Sequence, residues 1–493
     1  MEITINRNND TPVYIQIKNS IRQKIISGRL PNGLKLPAER TIAKELGVSR
    51  NTVVRAYQEL IAEGFVVVSA KPKGYFVREV RKSASERVFH PLANMRRYNY
   101  TEKESLFDDI FRRSTTEEYV SLAGINVCLP DPEDFSYSYK EFYDCDENEA
   151  DRLKRNICRM LASKDIFVSE KNIQLMSETT QALEYIMSLY LRDGDTVIVE
   201  EPVVAGTVNV LRNKGANVIC VKMQEDGMDL DELERLVEAY APRFIYTMPN
   251  LHNPTGRIMP LEKRIRLLEI ARKRDVPIIE ENSLGDFRYE GRELPSLYSL
   301  DKNKMVLYVD TFNLTFMPGI NTAFVVGPAE PVEMMGRLIV TGQNTIYRVS
   351  HAMLNRFIES GRMEKRKAFL RAHFRRQRDL LCNELEPLKK QGLCFDAPEG
   401  GLCIWCKLPD DVNEKKLFIT AGEKGLLYMP GSVFFPYGYS GSGYIRLCFS
   451  NVTEEGMTRG AKILSESMEL SRKNLRIGGQ SQKKILQSDE GYS

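Results

Sequence analysis

No apolar run in the chain approaches the length needed to cross a membrane, which argues against a helical membrane protein. The opening Met-Glu-Ile-Thr-Ile-Asn-Arg lacks a secretory-leader profile, so a cytoplasmic protein is expected. The nine cysteines are scattered, and the one C-x-x-C, Cys403 with Cys406, has no second pair at zinc spacing. That pattern predicts buried thiols in a reducing compartment, with neither a metal centre nor a disulfide framework. Residues 79–118 have few periodic apolar positions, so the stretch reads as a polar linker with at most a short helix at Ser105–Arg112. Against these absences, 42% hydrophobic and 28% charged residues are ordinary for a soluble globular protein. At 493 residues the chain exceeds one ordinary core, and two or three domains are expected.

The net charge of +3 hides an asymmetry, because residues 1–78 hold thirteen basic and six acidic side chains. A basic module joined to a slightly acidic body suits phosphate binding at one end only. In that module Tyr14, Ile17, Ile21, Ile25 and Ile26 recur at helical spacing. A short helix from Ala38 to Leu46 follows, then Gly47 for a left-handed turn and Ser49 to cap a third helix from about Arg50 to Ala62. Phe65–Val68 and Tyr75–Val77 pair as a hairpin through Ser69–Gly74. Helix, tight turn and helix followed by a hairpin describes a winged helix-turn-helix, whose second helix enters the major groove of DNA.

Leu36-Pro37-Ala38-Glu39-Arg40, Leu46-Gly47-Val48-Ser49-Arg50-Asn51-Thr52-Val53, Leu60-Ile61-Ala62-Glu63-Gly64 and Gly74-Tyr75-Phe76-Val77 together resemble the GntR-type winged helix. The resemblance implies a double-stranded DNA operator as partner. It places Arg40, Arg50 and Thr52, with the capping Ser49, at bases or nearby phosphates, and Arg55, Lys71, Lys73 and Gly74 along the backbone or minor groove.

From about Val120 to Leu470 short apolar strands alternate with helices. Asp195–Glu200, Asn217–Val221, Phe244–Met248, Pro277–Glu280, Met305–Val309 and Thr322–Gly327 read as strands, with helices at Thr180–Leu191, Asp229–Tyr240, Leu261–Lys273 and Met363–Glu386. Alternating units of this kind predict a mainly parallel sheet covered on both faces. Gly392 to Leu470 reads as a smaller α+β subdomain, with strands at Cys394–Ala397, Gly401–Lys407, Leu427–Met429 and Tyr444–Phe449. The expected organisation is therefore a DNA-binding domain at 1–78, a linker at 79–118, an α/β body at 119–471 whose small subdomain spans about 392–471, and a disordered tail at 472–493.

Several motifs make the body resemble fold-type I aminotransferases, which use pyridoxal phosphate. These are Asp193-Gly194-Asp195 leading to Glu201-Pro202, Asn253-Pro254-Thr255-Gly256, Glu280-Glu281-Asn282-Ser283 running to Phe287-Arg288-Tyr289, Pro318-Gly319, and Tyr444-Ile445-Arg446-Leu447. With the winged helix in front, the layout is similar to the MocR-type subgroup of GntR regulators. Leu314 aligns with the lysine that holds the cofactor, and an aliphatic side chain can neither form an imine nor move a proton. Other positions also depart from the family: Glu281 stands for the aspartate that faces the pyridinium nitrogen, Ser283 and Val204 for tyrosines, and Asn321 for an arginine. Ser177-Glu178-Thr179-Thr180-Gln181 replaces the small phosphate-binding turn, and Glu178 places a negative charge beside a phosphate.

Asn253, Glu281, Arg446, Thr179 and Thr180 remain as candidate ligand contacts, Arg446 because its fork matches a carboxylate. The resemblance thus implies a DNA-binding transcriptional regulator, homodimeric through its body, with no covalent pyridoxal phosphate. Non-covalent pyridoxal phosphate or an amino acid would be its effector. The alternatives are an active aminotransferase fused to a DNA-binding domain and a dimerisation scaffold without ligand.

Overall fold

The computed structural model describes residues 11–26, 33–63, 65–70 and 73–77 of an N-terminal unit and 118–130, 148–317, 319–340, 348–436 and 443–485 of a second, with isolated positions besides. The chain divides between Asn99 and Tyr100 into these two units.

The first unit packs α1 (Val13–Ile26), α2 (Glu39–Leu46) and α3 (Arg50–Ala62) around Ile17, Ile21, Ile42, Val53, Ala56, Tyr57 and Leu60, all buried. Gly47 ends α2 at φ 60, ψ 39, the left-handed conformation that lets the chain turn straight into α3. The Ser49 side chain accepts from Thr52 N at 3.2 Å, so the expected cap is in place. The wing is tighter than its sequence suggests. β1 (Val66–Ala70) and β2 (Lys73–Val77) pair up to Ala70 opposite Lys73, leaving two residues, Lys71 and Pro72, between the strands. Ser69 and Gly74, expected in the turn, are ladder partners instead, because backbone pairing continues wherever no residue forbids it. Lys71 lies outside the described residues.

In the second unit an eight-stranded sheet runs β4-β11-β10-β9-β8-β5-β6-β7. Its centre, β5 (Thr196–Glu201), β6 (Asn217–Gln224), β8 (Phe244–Thr247), β9 (Ile278–Glu281) and β10 (Val306–Thr311), is parallel, as the alternating pattern predicts. β4 (Ile173–Met176), β7 (Gly227–Met228) and β11 (Ala323–Val326) join antiparallel. One face buries Val197, Val199, Tyr246, Ile279, Leu307 and Val309 with the helix Thr179–Tyr190; the other buries Ile198, Ile245, Ile278 and Val306 with Leu230–Tyr240 and Leu261–Arg274.

The small subdomain is a four-stranded sheet, β12-β14-β13-β3, in which β12 (Cys403–Lys407), β13 (Leu426–Pro430) and β14 (Tyr444–Cys448) are C-terminal. Its fourth strand, β3 (Val120–Leu122), comes from the start of the body and runs parallel to β13. Three residues carry too short a period to be read from sequence. Cys394–Ala397, expected as a strand, reduces to one bridge between Cys394 and Lys407.

The linker boundary also moves. Ile110 is fully buried beside Met429, Val433 and Phe434, and Leu106 packs there too, so folded structure begins before the expected residue 118. Residues 79–105 lie outside the described residues. At the other end the last helix runs Glu454–Ile485, past the expected boundary at 471, since no proline stops it and its first turns are anchored by buried Met457, Leu464 and Met468. Residues 486–493 lie outside the described residues. Among the described residues no helix is long and apolar enough to cross a membrane.

Candidate functional site

The outward face of α3 carries the chemistry of the first unit. Arg50, Asn51, Arg55 and Gln58 are exposed, and Asn51, Val54, Arg55, Gln58 and Glu59 line one shallow groove. Arg50 stands at the helix start, 3.8 Å from Glu39, a distance at which an exposed pair is easily exchanged for another anion. Arg40 is exposed, and neither nearby acid takes it: Glu39 accepts from Tyr75 at 2.6 Å and Glu63 binds Lys18 at 2.6 Å. Arg55 lies over the Tyr14 ring at 4.0 Å, which keeps its guanidinium beside α1. Thr52 is half-buried and shares its hydroxyl with Ser49 at 2.8 Å, so these two shape the helix start. Gly74 has φ +155, a backbone conformation that side chains rarely adopt, and the flexible end of Lys35 lies over its open face. Asn51 and Gln58 were not singled out from sequence. Their seven-residue spacing, on the same face as Arg55, was the available signal, and amides of this kind read adenine edges.

In the second unit the expected ligand residues fall into three clusters. Arg446, on β14, is buried at 5% exposure. One arm donates to Asn253 Oδ1 at 2.9 Å, the other to the Ala123 carbonyl at 2.8 Å, and the guanidinium lies 4.8 Å over the Phe434 ring. Its Nε has no hydrogen-bond partner among the described residues, and no carboxylate there forms an ion pair with it. That Nε is itself sealed from solvent, and the Cys448 thiol lies against the same guanidinium. Asn253 therefore orients Arg446. His252 beside it is a core residue: it is 2% exposed, its Nδ1 meets Thr255 Oγ1 at 2.9 Å, and burial, with help from Arg257, lowers its pKa to about 3.

The second cluster surrounds Glu281 at the end of β9. Tyr246 donates to one carboxylate oxygen and Ser283 to the other, both at 2.6 Å. Burial raises the Glu281 pKa against the pull of these two donors. The third cluster surrounds Glu178, directly before the helix Thr179–Tyr190. Asn313 and Asn321 each donate a side-chain amide to its carboxylate. Thr179 and Thr180 form the first turn of that helix, and Thr180 is exposed. Leu314 follows Asn313 and packs, partly buried, on the core that contains Leu251 and Leu284.

Comparison with known proteins places both units. Residues 146–464 match the model for aminotransferase class I and II, and residues 13–77 match that for bacterial regulatory proteins of the gntR family. The chain belongs to the class I and II aminotransferase family, with a GntR-type DNA-binding domain in front. It is 26% identical to the HTH-type transcriptional regulator YdfD of Bacillus subtilis, over 91% of this chain and 95% of the relative. It is 25% identical to the probable rhizopine catabolism regulatory protein MocR of Rhizobium meliloti, over 94% and 95%. Among solved structures, the kynurenine aminotransferase of Pyrococcus horikoshii aligns at TM-score 0.67 and 26% identity, over 79% of this chain and 98% of that one.

The arrangement is thus that of a MocR-type regulator. The turn before the helix Thr179–Tyr190 holds the Glu178 carboxylate between two asparagine amides, and Leu314 is aliphatic. Lys164 and Lys367 both bind Asp286, at 3.0 and 3.1 Å, in the layer of the helix Glu149–Ala162. Neither belongs to the Glu281 or Glu178 cluster. The thiols that meet are also different from the C-x-x-C read in the sequence: Cys403 lies opposite Cys448 across β12 and β14. Burial raises the Cys448 thiol, but the Cys403 hydrogen bond and the Arg446 guanidinium outweigh it and leave it below the usual range.

Proposed function

We propose that this DNA-binding regulator reads its operator through α3 and the wing, and that its aminotransferase-like body is a non-catalytic sensor that pairs two subunits. The observation that carries the sensor reading is Arg446, buried and unpaired with any described carboxylate, and held in place by Asn253 and Ala123. Its ligand is a small carboxylate such as an amino acid. Leu314 supports the absence of catalysis, because both the covalent and the proton-transfer roles of the family rest on a lysine there. Glu281 supports it too, since its oxygens are engaged by Tyr246 and Ser283. A two-fold body would set the spacing of two half-sites on DNA.

Screening the full-length protein against an amino-acid panel by thermal shift should yield a carboxylate that stabilises it. Arg446→Ala and Arg446→Lys are then expected to weaken that ligand roughly tenfold or more, the worth of a charged hydrogen-bond pair. A shift that persists in both variants would show that the anchor lies elsewhere. Mixing the protein with pyridoxal phosphate should produce no absorbance band at the visible edge. Borohydride treatment followed by peptide mass analysis should find no modified lysine, and one stoichiometric lysine adduct would restore the enzyme reading.

A further inference from the structure

The Glu178 cluster says more about ligand choice than the loss of a lysine does. Asn313 Oδ1 accepts from Thr322 N at 2.7 Å, which fixes the orientation of that amide and turns its Nδ2 toward Glu178. Asn321 supplies the second amide from a position 143 residues away in sequence. The Glu178 backbone is extended at φ −142, ψ 156, and its side chain caps none of the N–H groups of the helix it precedes. The carboxylate is therefore held by the two asparagines across the turn, not by its own helix. Ser177 is occupied as well, its N–H and hydroxyl both directed to Gln181 Oε1 at 2.9 and 3.0 Å. Burial raises the Glu178 carboxyl against the pull of the two asparagine amides.

We infer that Glu178 is an internal occupant of the turn before the helix Thr179–Tyr190, and that it makes this turn reject phosphate esters. The choice of Arg446 as carboxylate anchor rests on the sensor reading above; the exclusion of phosphate does not. A phosphate entering this turn must displace the carboxylate from both amides, or sit beside it with like charges in contact. Either route opposes binding, and it opposes a dianion more than a neutral ring. Removing the carboxylate frees two amide donors at the first turn of a twelve-residue helix, which is the arrangement an oxyanion needs.

The test measures binding of pyridoxal phosphate and of pyridoxal, by equilibrium dialysis, to full-length wild type, Glu178→Ala and Glu178→Gln, each checked for folding by circular dichroism. Glu178→Ala should bind pyridoxal phosphate at least tenfold more tightly than wild type, with Glu178→Gln, which removes charge but keeps bulk, in between. Pyridoxal affinity should stay the same in all three proteins. If Glu178→Ala does not fold, the comparison of wild type with Glu178→Gln carries the test, with a gain of several-fold expected. Equal pyridoxal phosphate affinity across the proteins overturns the inference. So does an equal gain for pyridoxal, because the effect would then be one of space and not of charge. Neither result depends on Arg446, so failure of the sensor reading would be seen separately, in the amino-acid screen.

Discussion

Replacing Asp286 with alanine is expected to destabilise the body by about 3 kcal/mol, a large share of the stability of a typical domain. Lys164 and Lys367 converge on its two oxygens, and Lys367 is buried, with Glu364 at 3.5 Å as its other acidic contact. Without Asp286 the buried Lys367 ammonium loses its closest acid, while Lys164, partly exposed, keeps Asp310 nearby. Chemical denaturation should show the midpoint falling at unchanged slope, and an unchanged midpoint would mean that both lysines reach water freely. The pH dependence has a definite sign. Burial raises the Asp286 carboxyl, but Lys164 and Lys367 outweigh it and hold it well below the usual carboxylate range. Its stabilising effect is therefore complete above an ordinary aspartate pKa of about 4 and is lost as pH falls below that. Wild type and Asp286→Asn should differ most near neutrality and converge in acid.

The second large effect belongs to Arg50. Arg50→Ala should weaken operator binding by about 1–3 kcal/mol, roughly ten- to a hundredfold, if its fork reads a base pair. Arg50 is exposed at the start of α3 and its ion pair to Glu39 is a long one, so folding should be unaffected. Titration with specific and scrambled duplexes separates two roles. A loss confined to the specific duplex marks base reading, whereas an equal loss on both, with a shallower salt slope, marks a phosphate contact. Unchanged affinity on both duplexes would remove Arg50 from the interface.

What was legible in the sequence follows from the range of the interactions involved. The central strands and the helices after them announce themselves by local period and by Gly and Pro punctuation, and β5, β6, β8, β9 and β10 lie within a residue or two of their expected places, with β6 extending further. Gly47 and Ser49 act within one turn and were readable for the same reason. β3 was not, since three residues find their partner some 300 positions later, at Leu426–Tyr428. The candidate site divides the same way. That Glu178 would oppose a phosphate is visible from its charge, but its being held by Asn313 and Asn321 depends on contacts 135 and 143 residues apart. The Cys403–Cys448 meeting and the role of Asp286 between two lysines are likewise properties of the folded sheet and its helices.

The strand contributed by Val120–Leu122 has a practical corollary for anyone excising the aminotransferase-like half. A fragment begun at residue 146, where the aminotransferase match starts, would strip β13 of its outer neighbour and present a bare edge to other molecules. It would also delete the Ala123 carbonyl that steadies Arg446 and the Ile110 side chain that plugs the space beside Phe434. A faithful cut falls upstream of Leu106.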